Sequence, residues 1–162
     1  MATESQIQKE IDLVQDVIKR MASNSFEVKK WLIGIFTIIL VFKHDELLGG
    51  NLQLIWLLLI PVLCFWYLDS FFLSTEKLYR EIYIWNLENR SSTFDEYLYD
   101  LNTFVRKNSK GGTDNLILEA NNIWNVSISS TIWPFYFLPT IFIFIYGIIY
   151  NIHYCCCCCH HF

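Results

Sequence analysis

Residues 52–81 read LQLIWLLLIPVLCFWYLDSFFLSTEKLYRE. The first 17, Leu52–Leu68, carry one polar interruption, Gln53, and one proline, Pro61, whose missing N–H and bulky ring predict a kink. The later residues are amphipathic. Glu76 and Arg80, and Lys77 and Glu81, stand four apart, pairs worth only about 0.2–0.5 kcal/mol each on a helix surface, and Leu78, Ile82 and Trp85 form one apolar stripe. The pattern changes at Asp69, just after Trp66 and Tyr67, residue types that collect where a membrane meets water. Two readings follow. In one, a membrane helix leaves the lipid at Asp69 and continues straight into water. In the other, Phe71 and Phe72 carry the apolar surface past the carboxylate and Asp69 faces a bundle interior, which for an ionisable residue in a membrane is a functional hypothesis. Its partner would then be Lys29 or Lys30 at the same depth, a structural pairing and not chemistry.

The rest of the chain repeats the theme. It is 54% hydrophobic, 17% aromatic and only 17% charged, where ordinary soluble domains run near about 25% charged. From Ala120 to Phe162 there is no Asp, Glu, Lys or Arg, and within that stretch Ile132–Tyr150, IWPFYFLPTIFIFIYGIIY, supplies 19 residues, close to the ~20 that a helix needs to cross ~30 Å of hydrocarbon. Trp31–Phe42, WLIGIFTIILVF, supplies 12. That is short, but Lys29, Lys30 and Lys43 can snorkel toward head groups, and Phe26 and Val28 extend the apolar surface backwards.

Basic residues set the expected orientation. Five precede Trp31 (Lys9, Lys19, Arg20, Lys29, Lys30), only Lys43 lies between the first two apolar runs, and six lie between Phe72 and Ala120 (Lys77, Arg80, Arg90, Arg106, Lys107, Lys110). The positive-inside rule puts the N-terminus and the middle segment in the cytoplasm of a bacterial inner membrane, with the KHDELLGGN loop and the C-terminus on the periplasmic or extracellular side. Nearly 30 mostly polar residues precede the first apolar run, which argues against a cleavable signal.

Ahead of that run, Ile7, Ile11, Val14, Ile18 and Met21 are spaced 4, 3, 4, 3, a coiled-coil seam of about two heptads. So short a seam is marginal alone in water and must pack, either on the chain's own cytoplasmic helices or on a second copy. It continues through Val28, Leu32, Ile35 and Ile39, so that one helix could run into the membrane. On the far side of the second run, TFDEYLYDLNTFVRK opens with a capping box, Thr93 to Glu96, and repeats apolar residues at Phe94, Tyr97, Leu98, Leu101, Phe104 and Val105. It predicts a second arm of a helical hairpin turning at NRSS. NSKGGTDN, 108–115, reads as a loop. LILEANNIWNVSISS, 116–130, is taken as an interfacial helix, although NVSIS alternates like a strand.

Chemistry-bearing motifs are missing: GxxxxGK[ST], GxSxG and HExxH do not occur, so the reading is of no enzyme and no cofactor. Basic residues are scattered, which excludes a nucleic-acid footprint. The tail YCCCCCHHF offers metal-ligand residue types, but consecutive cysteines diverge and adjacent pairs do not form unstrained disulfides. A terminus without set structure, metal capture or lipidation, and intermolecular disulfides stay as alternatives.

DVIKRMASNSFEVKKW at 16–31 and FWYLDSFFLSTEKLYREIY at 65–83, followed by a terminal apolar span, resemble a family of small bacterial membrane proteins with an RMAxNSF segment before the first span and a WxLDxxxLxxE[RK]L[FY]R segment after the second. The arrangement is similar in outline to SLATT-type transmembrane effectors, which occur beside nucleotide-signalling and anti-phage defence genes. Arg20, Met21, Asn24, Ser25 and Phe26 fit the first segment, and Trp66, Leu68, Asp69, Glu76, Leu78, Tyr79 and Arg80 the second. The resemblance implies permeabilisation of a membrane on activation.

Together these readings predict an all-α integral membrane protein with three transmembrane helices. An amphipathic N-terminal helix (1–30) leads to a two-span hairpin (31–73), a cytoplasmic helical region with a hairpin (74–130), a third span (131–152) and the Cys/His tail (153–162). Asp69, Glu76, Arg80, Arg20 and Asn24 form the membrane-exit and packing signature. Ile7, Ile11, Val14, Ile18 and Met21 form the oligomer seam. The expected partners are membrane lipid, further copies of the chain and a cytoplasmic protein or nucleotide signal. The expected function is an oligomeric membrane effector in anti-phage defence, its pore lined from the first span, including Thr37, and from the region of Pro61. The alternative is a non-conducting anchor that docks a soluble partner.

Overall fold

Helix α1, Glu4–Phe42, runs unbroken through the junction between the polar seam and the first apolar run. Nothing before Gly34 interrupts it: the segment lacks proline and glycine, and Glu4 in its first turn complements the helix dipole. The computed structural model describes residues 4–42, 56–89, 99–101, 105–107, 113–115 and 122–159. Helix α2 spans Leu59–Asn89, strands β1 and β2 are Val105–Lys107 and Thr113–Asn115, α3 is Ile123–Ser127 and α4 is Trp133–Cys159.

α2 passes through Asp69 without a break, as a straight exit from lipid into water requires. The break expected from Pro61 comes before α2 begins. The helix is interrupted at Leu58, about one turn earlier, and restarts at Leu59. Pro61 therefore lies in the first turn, where its missing N–H costs no bond. α4 contains Pro139 in its interior, and the Phe135 carbonyl there loses its usual i+4 donor. The backbone of α4 stays helical through Cys159, so the expectation of an unstructured tail does not hold for residues 153–159.

The chain divides into two units. The first comprises Met1–Phe26 and Ser70–Val126, the second Glu27–Asp69 and Ser127–Phe162. In the first, Val14, Ile82 and Trp85 form a buried cluster, with Ile18, Leu78, Tyr79 and Tyr83 packed on it. The N-terminal seam and the α2 stripe thus cover each other, each hiding the apolar face that the other exposes.

The second arm of the expected helical hairpin is not helical where the structure describes it. Tyr99 adopts φ 61° in a turn, a left-handed backbone that a right-handed helix excludes. Val105–Lys107 instead pairs antiparallel with Thr113–Asn115, in the register Val105 to Asn115, Arg106 to Asp114 and Lys107 to Thr113. Cross-strand bonds satisfy the backbone groups there that an i to i−4 ladder would have used. The ribbon also replaces part of the loop expected over 108–115. The fold is therefore helical apart from one short β-ribbon. The capping box at Thr93–Glu96, with Phe94, Tyr97, Leu98 and Phe104, lies outside the described residues.

α3 realises part of the interfacial helix expected over 116–130, and the alternation in NVSIS does not form a strand. Asn122 starts α3: its side-chain Oδ1 accepts from the Trp124 N–H (3.2 Å) and its carbonyl from the Val126 N–H (3.0 Å). Farther on, the Ser129 carbonyl accepts from the N–H groups of Ile132 and Trp133 (3.1 and 2.9 Å), which turns the chain into α4.

Candidate functional site: a polar node inside an apolar unit

The second unit has an inverted surface. Its exposed side chains include Trp31, Ile38 and Val41 of α1, Leu63 and Tyr67 of α2 and Phe142 of α4, while Asp69, Ser127 and Tyr136 are buried. Water selects the opposite arrangement, because exposed apolar area costs roughly 25 cal/mol per Å². Hydrocarbon selects this one. Two threonine hydroxyls in the apolar stretches are satisfied within their own helices: Thr37 Oγ1 donates to the Ile33 carbonyl (2.9 Å) and Thr140 Oγ1 to the Tyr136 carbonyl (2.7 Å). Internal satisfaction is what a medium without hydrogen-bonding partners demands.

The buried polar groups meet in one node. Lys29 of α1 reaches Asp69 of α2, its Nζ donating to Oδ1 at 2.7 Å and lying 2.6 Å from Oδ2. The carboxylate side chain is 0% exposed and the Lys29 side chain 21% exposed, so the pair has one end sealed and one end open. Tyr136, from the first turn of α4, is buried with its hydroxyl beside the same carboxylate. Close by, Trp66 Nε1 donates to the Ser127 carbonyl at 3.1 Å, tying α2 to the end of α3. The node thus consists of the Lys29–Asp69 pair between α1 and α2 and, one helical turn away on α2, the Trp66 bond to α3, with Tyr136 of α4 buried near the carboxylate.

Of the two readings of Asp69, the structure takes the interior one, with Lys29 as the partner. Lys30 turns away and donates to Glu27. The remaining signature residues do not join the node. Glu76, nearly buried in the first unit, accepts from Arg80, with Nη2 at 2.6 Å and Nε at 2.9 Å from the same Oε1. Arg20 is exposed and Asn24 half-buried. In the proposed seam, Val14 is fully buried while Ile7, Ile11, Ile18 and Met21 are half-buried.

Tyr136 and Ser127 were not singled out from the sequence, where Trp66 stood only as an interface aromatic and motif residue, since nothing local marks an aromatic hydroxyl 67 positions away as the neighbour of Asp69. Glu10 and Asn86, both buried in the first unit, were missed as well. Glu10 stands four residues before Val14 on the seam face, and that spacing was a usable signal.

Below the node, a groove of about 260 Å³ opens between α1 and α4, lined by Leu32, Ile33, Phe36, Thr37, Phe135 and Pro139. At the other end of the second unit, Trp56 stacks edge-on against Phe144, with ring centroids 5.2 Å apart, and lies over Gly147. Cys64 is an exposed free thiol. Among the described residues no group of three His, Cys, Asp or Glu is placed to hold a metal ion, and His160 and His161 of the tail lie outside them.

One helix, Leu59–Glu88, is long and apolar enough by length and composition to cross a membrane, and Trp133–Ile149 is apolar but shorter. No family model, characterised protein or solved structure matches the chain.

Proposed function

We propose that the chain is an integral membrane protein that crosses the bilayer three times, through the second half of α1, the first half of α2 and α4, and acts as an oligomeric effector that permeabilises the membrane when triggered. The observation that supports the membrane reading is the exposed apolar surface of the second unit around a buried Lys29–Asp69 pair. Leu59–Glu88 supplies one crossing by length and composition. The other two rest on the apolar faces of Trp31–Phe42 and Trp133–Ile149 together with flanking residues that extend them toward the head groups. The orientation follows the basic residues, with the N-terminus and the segment between α2 and α3 in the bacterial cytoplasm.

The effector half of the reading rests on the two SLATT-like segments. Their residues do physical work in this fold: Asp69 is the buried acceptor for Lys29, Glu76 is the nearly buried acceptor for Arg80, and Leu78 packs on the seam cluster. The trigger would be a cytoplasmic protein or a nucleotide signal acting on the first unit, in anti-phage defence. Val14 and Ile18 of the seam pack on α2 while Ile7, Ile11 and Met21 stay half-buried, so self-association would use the rest of the seam or the exposed apolar faces of the second unit. No catalytic step or cofactor enters.

A second reading, a non-conducting anchor that docks a soluble protein, is favoured by Ile84 and Leu87. They are exposed at i,i+3 spacing on α2, outside the seam cluster. Induced expression with a membrane-potential dye separates the two. Depolarisation within minutes of induction supports the effector. An unchanged potential together with a stoichiometric co-purifying protein removes the effector reading and leaves the anchor.

A further inference from the structure

We propose that the Lys29–Asp69 pair, with the Tyr136 hydroxyl beside it, is a conformational latch that holds α1 in one of two discrete positions against α2 and α4 within the second unit. The inference goes beyond the effector reading and does not depend on it, since a latch can serve an anchor as well as a pore.

The argument begins with packing. Past Lys29, Leu32 is the one fully buried side chain among the described residues of α1, Ile35, Phe36 and Ile39 are half-buried, and Ile33, Thr37, Ile38, Val41 and Phe42 are exposed. A side chain added at Gly34 would meet nothing within 4 Å. The groove lined by Leu32, Phe36, Phe135 and Pro139 separates the same stretch of α1 from α4. Protein interiors are ordinarily filled to near-crystal density, so the groove leaves this stretch of α1 room to move. Leu32 and the node hold its near end.

The node discriminates sharply between arrangements. Separating a buried pair leaves an uncompensated charge and is strongly destabilising, so the fully buried Asp69 fixes α1 while Lys29 is bound and forces a rearrangement once it is lost. The two ends are also unequal. Asp69 is fully buried, whereas the Lys29 side chain is 21% exposed on a flexible stem, and an ammonium of that kind can exchange its carboxylate for water or a lipid phosphate without crossing hydrocarbon. Loss of that contact removes the ion pair that ties α1 to α2 within the second unit, while Val14 and Ile18 of α1 stay packed on α2 in the first. The chain also passes between its two units after Phe26, after Asp69 and after Val126. Lys29, Asp69 and Ser127 therefore stand close in sequence to those crossings, where a change in the first unit is carried covalently into α1 and α2.

The test is a distance measurement by pulsed electron resonance on the full chain in lipid nanodiscs. Spin labels replace Trp31 on α1 and Tyr67 on α2, both exposed, with Cys64 and Cys155–Cys159 changed to Ser. With the pair intact a single narrow distance is expected. Asp69→Asn and Lys29→Gln should each add a second, discrete and longer distance. An unchanged single distance in either variant overturns the latch. So does a featureless spread or loss of assembled protein in both, because the pair is then a plain structural tie. Depolarisation by the same two variants is read separately: a discrete second distance with an unchanged membrane potential keeps the latch and counts against the effector.

Discussion

Asp69 shows how one side chain can be placed in outline by sequence and in detail only by fold. Its position at the end of an apolar run, beside Trp66 and Tyr67, marked a boundary, and Lys29 and Lys30 were both in reach by depth. The choice between them was made by the direction each stem takes on α1: Lys29 turns into the unit and Lys30 toward Glu27. A residue four positions along a helix is a neighbour, whereas one position along points elsewhere, so these adjacent lysines have different partners. Gly147 is a second position where one atom decides. A Cβ there would approach Trp56 Cζ2 to 3.3 Å, which leaves room for a methyl group only if the indole shifts. Gly147→Leu should therefore cost about 1–3 kcal/mol through overpacking and Gly147→Ala distinctly less. Thermal unfolding in detergent, followed by the near-ultraviolet signal of the tryptophans, measures both.

At the scale of elements, the seam and the α2 stripe were each legible as an apolar face in want of cover, and the structure shows that they cover each other. Ile82 is the fully buried centre of that contact, with Val14 opposite. Ile82→Ala should cost about 2–5 kcal/mol, the usual range for removing a large aliphatic side chain from a core, and should raise hydrogen exchange in α1 residues 7–21 as much as in α2. Exchange confined to α2 would show that the two helices do not share one cooperative core. The segment after α2 was the poorest guide. TFDEYLYDLNTFVRK has helical periodicity and a capping box, yet its described residues form a turn and a strand, because pairing of Val105–Lys107 with Thr113–Asn115 outweighs weak local preference. Pro61 acts where a helix proline acts, at the break about one turn before it.

For the whole molecule the decisive property is which side of each helix is apolar. A chain whose second unit hides an Asp–Lys pair and exposes Trp31, Tyr67 and Leu138 should stay with membranes through alkaline carbonate washing and require detergent for extraction. Recovery in the aqueous fraction would refute the membrane reading. Orientation is open to the same directness. A cysteine placed at Ser109, in a background without the native cysteines, should react with a membrane-impermeant maleimide only after the inner membrane is opened. Labelling of intact spheroplasts would reverse the orientation that the basic residues set.

What the amino-acid sequence determined by itself is what depends on composition and short-range period: a chain rich in apolar and aromatic residues, helices carrying apolar faces, an apolar seam on α1 and a change of pattern at Asp69. Those features are written in neighbouring residues, and a helix repeat or an uncharged run needs no distant contact to be read. Tertiary structure alone decided which lysine meets Asp69, that Tyr136 and the Ser127 carbonyl join the same node, and that a strand replaces the second arm of the hairpin. Each of those outcomes joins residues far apart along the chain or weighs one backbone pairing against another, and no local pattern in the sequence carries that comparison.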